Sequence, residues 1–205
     1  YGADALRTYE MFIGDYSKDA SWNEFGLKGC SKFLDRVWRI QEKLNNNSGY
    51  TKELETLIHQ TIKKVTSDIE NLDYNTAVSA LMILLNKYEE MVSITRDDYR
   101  VMVQLLNPFA PHITEEINQV CDLGEELSMS SWPTYDESKT VEQSYEMVVQ
   151  VNGKIRGKIV VSTDTSKEEM IRIAKEIDNV QAYIFGKTIV NEIVVIGKLV
   201  NIVVK

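Results

Sequence analysis

Cysteine, histidine and proline are scarce in this chain of 205 residues, at two, two and three copies. Cys30 and Cys121 stand far apart and outside any Cys-x-x-Cys spacing. That excludes a disulfide framework or a zinc site and points to a reducing compartment, the cytoplasm, with both thiols read as small buried hydrophobes. His112 shares a helix face with Glu115 and Glu116, but the second histidine of a metal-binding helix is missing, and His59 is the only other one. His112 therefore reads as a capping or core residue, and the glutamates as first-turn acids suited to the helix dipole. No metal site is expected. No run of about 20 apolar residues occurs, so no membrane span is expected. Walker and Rossmann glycine patterns and the Gly-x-Ser-x-Gly nucleophile signature are all missing, which leaves no catalytic constellation. Nothing at the start resembles a signal peptide, and the first residue is Tyr1 rather than Met, so the chain is expected to begin inside a longer protein.

Positive charge is also in deficit: 23 Lys and Arg face 31 Asp and Glu, for a net charge of -8. The imbalance is uneven. Residues 1–140 hold 14 basic and 23 acidic side chains, and residues 141–205 hold 9 and 8. An acidic total argues against loose nucleic-acid binding. It leaves room for a local basic strip, because fields at short range are set by charges within a Debye length of about 8 Å.

What the chain does have is two kinds of periodicity. The first 123 residues repeat like helices. Segments are expected over 3–13, over 27–44, from Thr51 as N-cap through Val65, from Asp73 or Asn75 through Tyr88, over 96–106, and from Pro111 at a first helical position to Val120. Residues 14–26 read as a loop. Residues 124–144 are polar, hold Pro133 and have no clear period, and read as a linker, with Trp132 packing back on the helices. Beyond it the period becomes two. Strands are expected at 145–151 and 154–161 around Asn152-Gly153, a helix at 166–177 capped by Thr165 or Ser166, and strands at 188–196 and 199–204 around Gly197-Lys198. The expected fold is two domains: an all-α helical bundle, 1–123, then a small α+β domain of order β-β-α-β-β, 145–205.

Two basic patterns stand out. On the second strand, alternation puts Lys154, Arg156 and Lys158 on one face and Ile155, Gly157, Ile159 and Val161 on the other. Such a ladder suits phosphates, and Gly157 would let a backbone come close. A two-residue turn would set Val151 opposite Lys154 and Val149 opposite Arg156. Then either the lysine stems lie along those valines or the loop is longer than two residues. The bland alternative is an edge whose charges block aggregation. On the long helix, Lys28, Lys32, Arg36, Arg39 and Lys43 fall within a sector of about 80° at about 100° per residue. Phe33, Val37, Ile40 and Leu44 lie nearly opposite, and Trp38 reads as a packing residue. An ordinary solvated face would show the same spacing.

Four stretches, YGADALRTYEMF at 1–12, KFLDRVWRI at 32–40, LLNPFAPHITEEI at 105–117 and VNGKIRGK at 151–158, occur in an order that resembles the C-terminal part of bacterial-type leucyl-tRNA synthetases. The last is the most specific for leucine. Asn118 departs from the family, standing where an aromatic commonly follows, and the loop 13–16 lacks the prolines frequent in relatives. The resemblance implies a helical anticodon-binding domain, with residues 1–24 a lead-in from an upstream catalytic core, and a C-terminal domain that contacts the tRNA elbow. It implies leucine–tRNA ligase activity in a cytoplasmic and monomeric parent. ATP and Mg would be used by the catalytic domain upstream, with no cofactor and no catalysis in this piece. The implied partners are tRNA(Leu) and the upstream catalytic and editing domains, with no membrane. Carried onto this sequence, Lys32, Arg36, Arg39 and Lys43 become candidate RNA-backbone contacts on the helix, and Lys154, Arg156 and Lys158 candidates for the elbow. A protein-docking module without RNA contact is the alternative. A hydrolase built on His112 and Glu115 is a remote third.

Overall fold

The computed structural model describes all residues but Tyr16, Glu142 and Gln143, so the part of the expected 14–26 loop at Tyr16, and residues 142 and 143 of the expected linker, lie outside the described residues. The chain divides into two compact units, Tyr1–Val141 and Glu142–Lys205.

The first unit is helical: α1 (Ala3–Phe12), α2 (Glu24–Arg39, continued by a 3-10 turn at Ile40–Lys43), α3 (Glu55–Glu70), α4 (Tyr74–Glu90), α5 (Arg96–Leu106) and α6 (Pro111–Val120). Helix α4 supplies the centre of the core. Ala77, Val78, Leu81, Leu84, Leu85 and Tyr88 form its buried stripe, and each is fully buried. Ile58, Ile62 and Val65 of α3 and Met102, Val103, Leu105 and Leu106 of α5 complete it. Fully burying a side chain of that size stabilises the fold by about 1.5–3 kcal/mol. Two buried tyrosines satisfy their hydroxyls across elements: Tyr88 donates to Asp98 O and Tyr99 to Val37 O, both at 2.7 Å.

Start signals explain most helix boundaries. A capping box opens α5, where Thr95 Oγ1 accepts the Asp98 N–H and the Asp98 carboxylate accepts the Thr95 N–H. Pro111 takes the first position of α6. Two starts differ from expectation. Helix α2 begins three residues earlier, because Asn23 Oδ1 caps the Phe25 N–H. Thr51 does not cap α3, which starts at Glu55. Its N–H and hydroxyl instead bind the Asp98 carboxylate at 3.0 and 2.6 Å.

Residues 123–141 run along this helical unit and touch it at separate anchors. Leu123 and Leu127 are buried, and Glu115 accepts the N–H groups of Leu127 and Ser128. Further on, Trp132 Nε1 donates to Thr66 Oγ1 at 2.8 Å, the Asp136 N–H donates to His59 Nδ1 at 3.1 Å, and Lys139 pairs with Glu55. Asn118, the departure noted above, is buried and donates to Glu125 O.

The second unit is a four-stranded sheet with two helices on one face: β1 (Ser144–Val151), β2 (Lys154–Ser162), α7 (Lys167–Glu176), α8 (Asp178–Ile184), β3 (Ile189–Val195) and β4 (Leu199–Val204). The strand order is β2-β1-β4-β3. Central strands β1 and β4 run parallel, and each outer strand is antiparallel to its neighbour. The element order is therefore β-β-α-α-β-β, which corrects the β-β-α-β-β expectation. Ile177 takes an extended conformation that ends α7, and α8 follows at once. Met147, Val149 and Val151 of β1 and Val200, Ile202 and Val204 of β4 form the inner face under Met170, Ala174 and Val180. At the β1–β2 turn both Asn152 and Gly153 have positive φ, as a two-residue primed turn requires. The Asn152 side chain also pairs with the Val204 backbone, tying the turn to β4.

Candidate nucleic-acid interface

The β1–β2 hairpin does not present its three cations as one ladder. Val151 pairs with Lys154 as the turn demands, but Gln150 then pairs with Ile155 and Val149 with Gly157. Arg156 is the extra residue of a β-bulge, and a bulge reverses the alternation beyond it. Ile155 is consequently exposed rather than sharing the buried face of Ile159 and Val161. Lys158 lies opposite Val148 on the open face of the sheet, where its Nζ pairs with Glu146 at 2.8 Å. That pair is more than half exposed on both sides, so it leaves the lysine available to solvent. Lys154 is exposed.

Arg156 is held differently. Its guanidinium carbon lies 3.6 Å from the centre of the Tyr183 ring, a close cation–π contact. Its carbonyl accepts the side-chain amide of Asn179 at 2.7 Å. Both partners belong to α8, an element the sequence periodicity does not reveal. An aromatic four residues after an asparagine was the signal available, and it has meaning only once α8 is known to face the bulge.

The strip on α2 is divided. Lys28, Lys32 and Arg39 are exposed, and Arg39 Nε donates to Asp35 O at 3.3 Å. Arg36 is engaged. Its Nε and Nη2 meet the two carboxylate oxygens of Glu89 at 2.9 and 2.6 Å, and Nη2 also meets Asn86. This fork holds the Glu89 carboxyl below its usual range and raises the Arg36 pKa. Lys43, on the 3-10 turn, donates to the carbonyls of Glu89 and Met91, where a cation suits the end of α4. Arg36 and Lys43 thus clasp α2 to α4. Trp38 packs against the core.

The remaining candidates are structural. His112 Nδ1 lies 2.8 Å from Asp4 Oδ1 and the ring is largely exposed, so it tethers α1 to α6 rather than sitting in the core. Glu115 is occupied by the backbone of residues 127 and 128. Cys30 and Cys121 are buried free thiols, and burial pushes Cys30 up to about 11. Among the described residues, no group of three or more His, Cys, Asp and Glu side chains could hold a metal ion, and no helix is long and apolar enough to cross a membrane.

Cations on an α-helical bundle and on a bulged hairpin are what a nucleic-acid-facing module offers. Residues 51–171 match the family described as the anticodon-binding domain of tRNA ligase, and the chain belongs to that family. More particularly, all 205 residues are similar to the C-terminal region of a leucine–tRNA ligase from Alkaliphilus oremlandii, at 45% identity. The chain spans about a quarter of that relative, 26% of its length. Its fold is also similar to a LeuRS solved in a ternary complex with tRNA and LeuAMS from Agrobacterium radiobacter. There the TM-score is 0.65 and the identity 25%, over 100% of this chain and 28% of the other.

Proposed function

We propose that this chain is the tRNA-binding C-terminal region of a leucine–tRNA ligase, working in the cytoplasm within a monomeric enzyme. It positions tRNA(Leu) by backbone and shape contacts while upstream domains, using ATP and Mg, carry out aminoacylation. The observation that carries this reading is the likeness of the whole chain, not one motif of it, to leucine–tRNA ligase. In this reading residues 1–123 serve the anticodon side, 124–144 connect, and 145–205 serve the elbow. Lys32 and Arg39 meet phosphates from α2, while Arg36 and Lys43 contribute their charge from fixed positions. Lys154, Arg156 and Lys158 meet phosphates from the hairpin. Shape and phosphate contacts dominate because an RNA helix hides its major-groove edges.

The test is a titration of the chain with leucine tRNA and a noncognate tRNA at two salt concentrations. Binding is expected to prefer leucine tRNA and to weaken steeply with salt, by about 0.7–0.9 in log-log slope per phosphate contact. The Lys154→Glu/Arg156→Glu double variant is expected to bind about tenfold or more weakly. Unchanged affinity of that variant at low salt removes the hairpin from the interface. Salt-insensitive association would favour the docking-module alternative instead.

A further inference from the structure

Helix α8 and the residue before it touch the β2 bulge at three points. The ring of Tyr183 lies under the Arg156 guanidinium at 3.6 Å. The Asn179 amide donates to Arg156 O at 2.7 Å. Ile177 fills the space beside Gly157, where a Cβ would come within 3.0 Å of its Cδ1. Side chain, backbone and following residue of the bulge each have a partner in one segment of seven residues, 177–183. Among the described residues the Arg156 Nε is buried without a hydrogen-bond partner, so the ring face of Tyr183 rather than a hydrogen bond at Nε locates the guanidinium. The ion pairs among the described residues of this unit join Lys158 to Glu146, Arg172 to Glu169 and Glu176, and Lys175 to Glu192. Arg156 takes part in none of them. A cation that is oriented but not neutralised by a carboxylate is ready for an external anion, and it gives up less rotamer freedom on binding than a free arginine does.

We propose that Tyr183 is a positioning residue: by stacking under Arg156 at the bulge it holds the guanidinium flat for a phosphate of the bound tRNA. The inference rests on the tRNA-binding reading above and assigns to α8 a role that the hairpin motif does not contain. Asn179 and Ile177 fix the bulge backbone, and Tyr183 fixes the side chain. Of these four residues, Arg156 alone touches RNA. Tyr183 acts through it.

The experiment is a double-mutant cycle on the whole chain, read as leucine-tRNA affinity and salt slope. Arg156→Ala is expected to weaken binding and to lower the slope by about one phosphate contact. Tyr183→Ala is expected to weaken binding about fivefold, within the range of a cation–π contact, and Tyr183→Phe to bind as the unaltered chain does. In the Arg156→Ala background, Tyr183→Ala should add no further loss, which a merely structural role would not produce. If Tyr183→Ala costs the strand signal in circular dichroism, Tyr183→Leu replaces it, since it keeps apolar bulk but offers no ring face. Full affinity in Tyr183→Ala or Tyr183→Leu overturns the inference. So do losses that add in full to that of Arg156→Ala, or a Tyr183→Phe loss as large as that of Tyr183→Ala. An Arg156→Ala variant that binds normally overturns instead the placement of Arg156 at the RNA, and the inference with it. An unaltered chain that fails to bind leucine tRNA at low salt overturns the tRNA-binding reading itself.

Discussion

Asp98, fully buried, joins three segments through its carboxylate and its carbonyl. It accepts the Thr95 N–H as the return arm of a capping box, and the N–H and hydroxyl of Thr51, while its own carbonyl takes the Tyr88 hydroxyl. Removing the carboxylate strands one buried backbone donor, Thr95 N–H, and one half-buried, Thr51 N–H, each of which loses a charge-assisted bond. Asp98→Ala is therefore expected to destabilise the helical unit by about 3 kcal/mol, measured by urea or thermal unfolding. A loss no larger than an exposed cap's would mean that the network is redundant. His59 offers a proton-linked counterpart. Its Nδ1 accepts the Asp136 N–H and its Nε2 is buried without a partner, so the ring is held neutral. Burial lowers its pKa below the ordinary 6.5, helped by Lys139 and opposed by Glu55 and Asp136. The unfolded chain thus binds the proton more readily than the folded one. The stability His59 contributes is present above pH 6.5 and is lost as pH falls through that value and the lower folded one. His59→Gln should flatten that part of the stability–pH curve, and an unaltered slope would assign it to other groups.

At the scale of elements, the bulge at Arg156 decides what each face of β2 shows. Gly157 sits against Ile177, which is pinned at the break between α7 and α8. A methyl there forces a shift of a few tenths of an ångström. Gly157→Ala is expected to destabilise the small unit by about 1 kcal/mol, and combining it with Ile177→Val should cost less than the two changes summed. Strict additivity would show the contact to be slack. The same strand shows where reading the sequence stopped. Elements with a sustained period or a start signal were legible: the α4 stripe, the 96–106 span of α5, Pro111 of α6, and the Asn152-Gly153 turn. The bulge was not, because period two presumes that no residue is skipped. Nor was α8, which buries only Val180 and so has no stripe to detect. Residues 123–141 touch the helices through single anchors, and scattered anchors leave no period. For the basic strip on α2, spacing located the cations. It could not show that Arg36 and Lys43 answer to α4, since Glu89 lies some fifty residues away in sequence.

For the molecule as a whole, charge and binding are set against each other. A chain of net charge -8 repels RNA at long range, so in the tRNA-binding reading proposed above any contact would depend on cations left free of carboxylates nearby. Glu89→Gln removes one opposing charge beside the α2 strip. It is expected to cost the helical unit at most about 1 kcal/mol and to raise tRNA affinity about twofold to threefold at low salt, a gain that disappears at high salt as screening takes over. An equal gain at both salts would point to a direct contact at Glu89. The parallel pairing of β1 with β4 has a different kind of consequence. Strand β4 occupies an inner position in the sheet, yet it leaves the ribosome after the other three. During synthesis the β1–β2 hairpin therefore waits with its inner edge open, and β3 has no neighbour at all, until Leu199–Val204 clears the exit tunnel. Assembly of this sheet waits on its last strand, and a nascent chain stalled a few codons short of residue 199 would hold two helices and three strands that cannot yet become a domain.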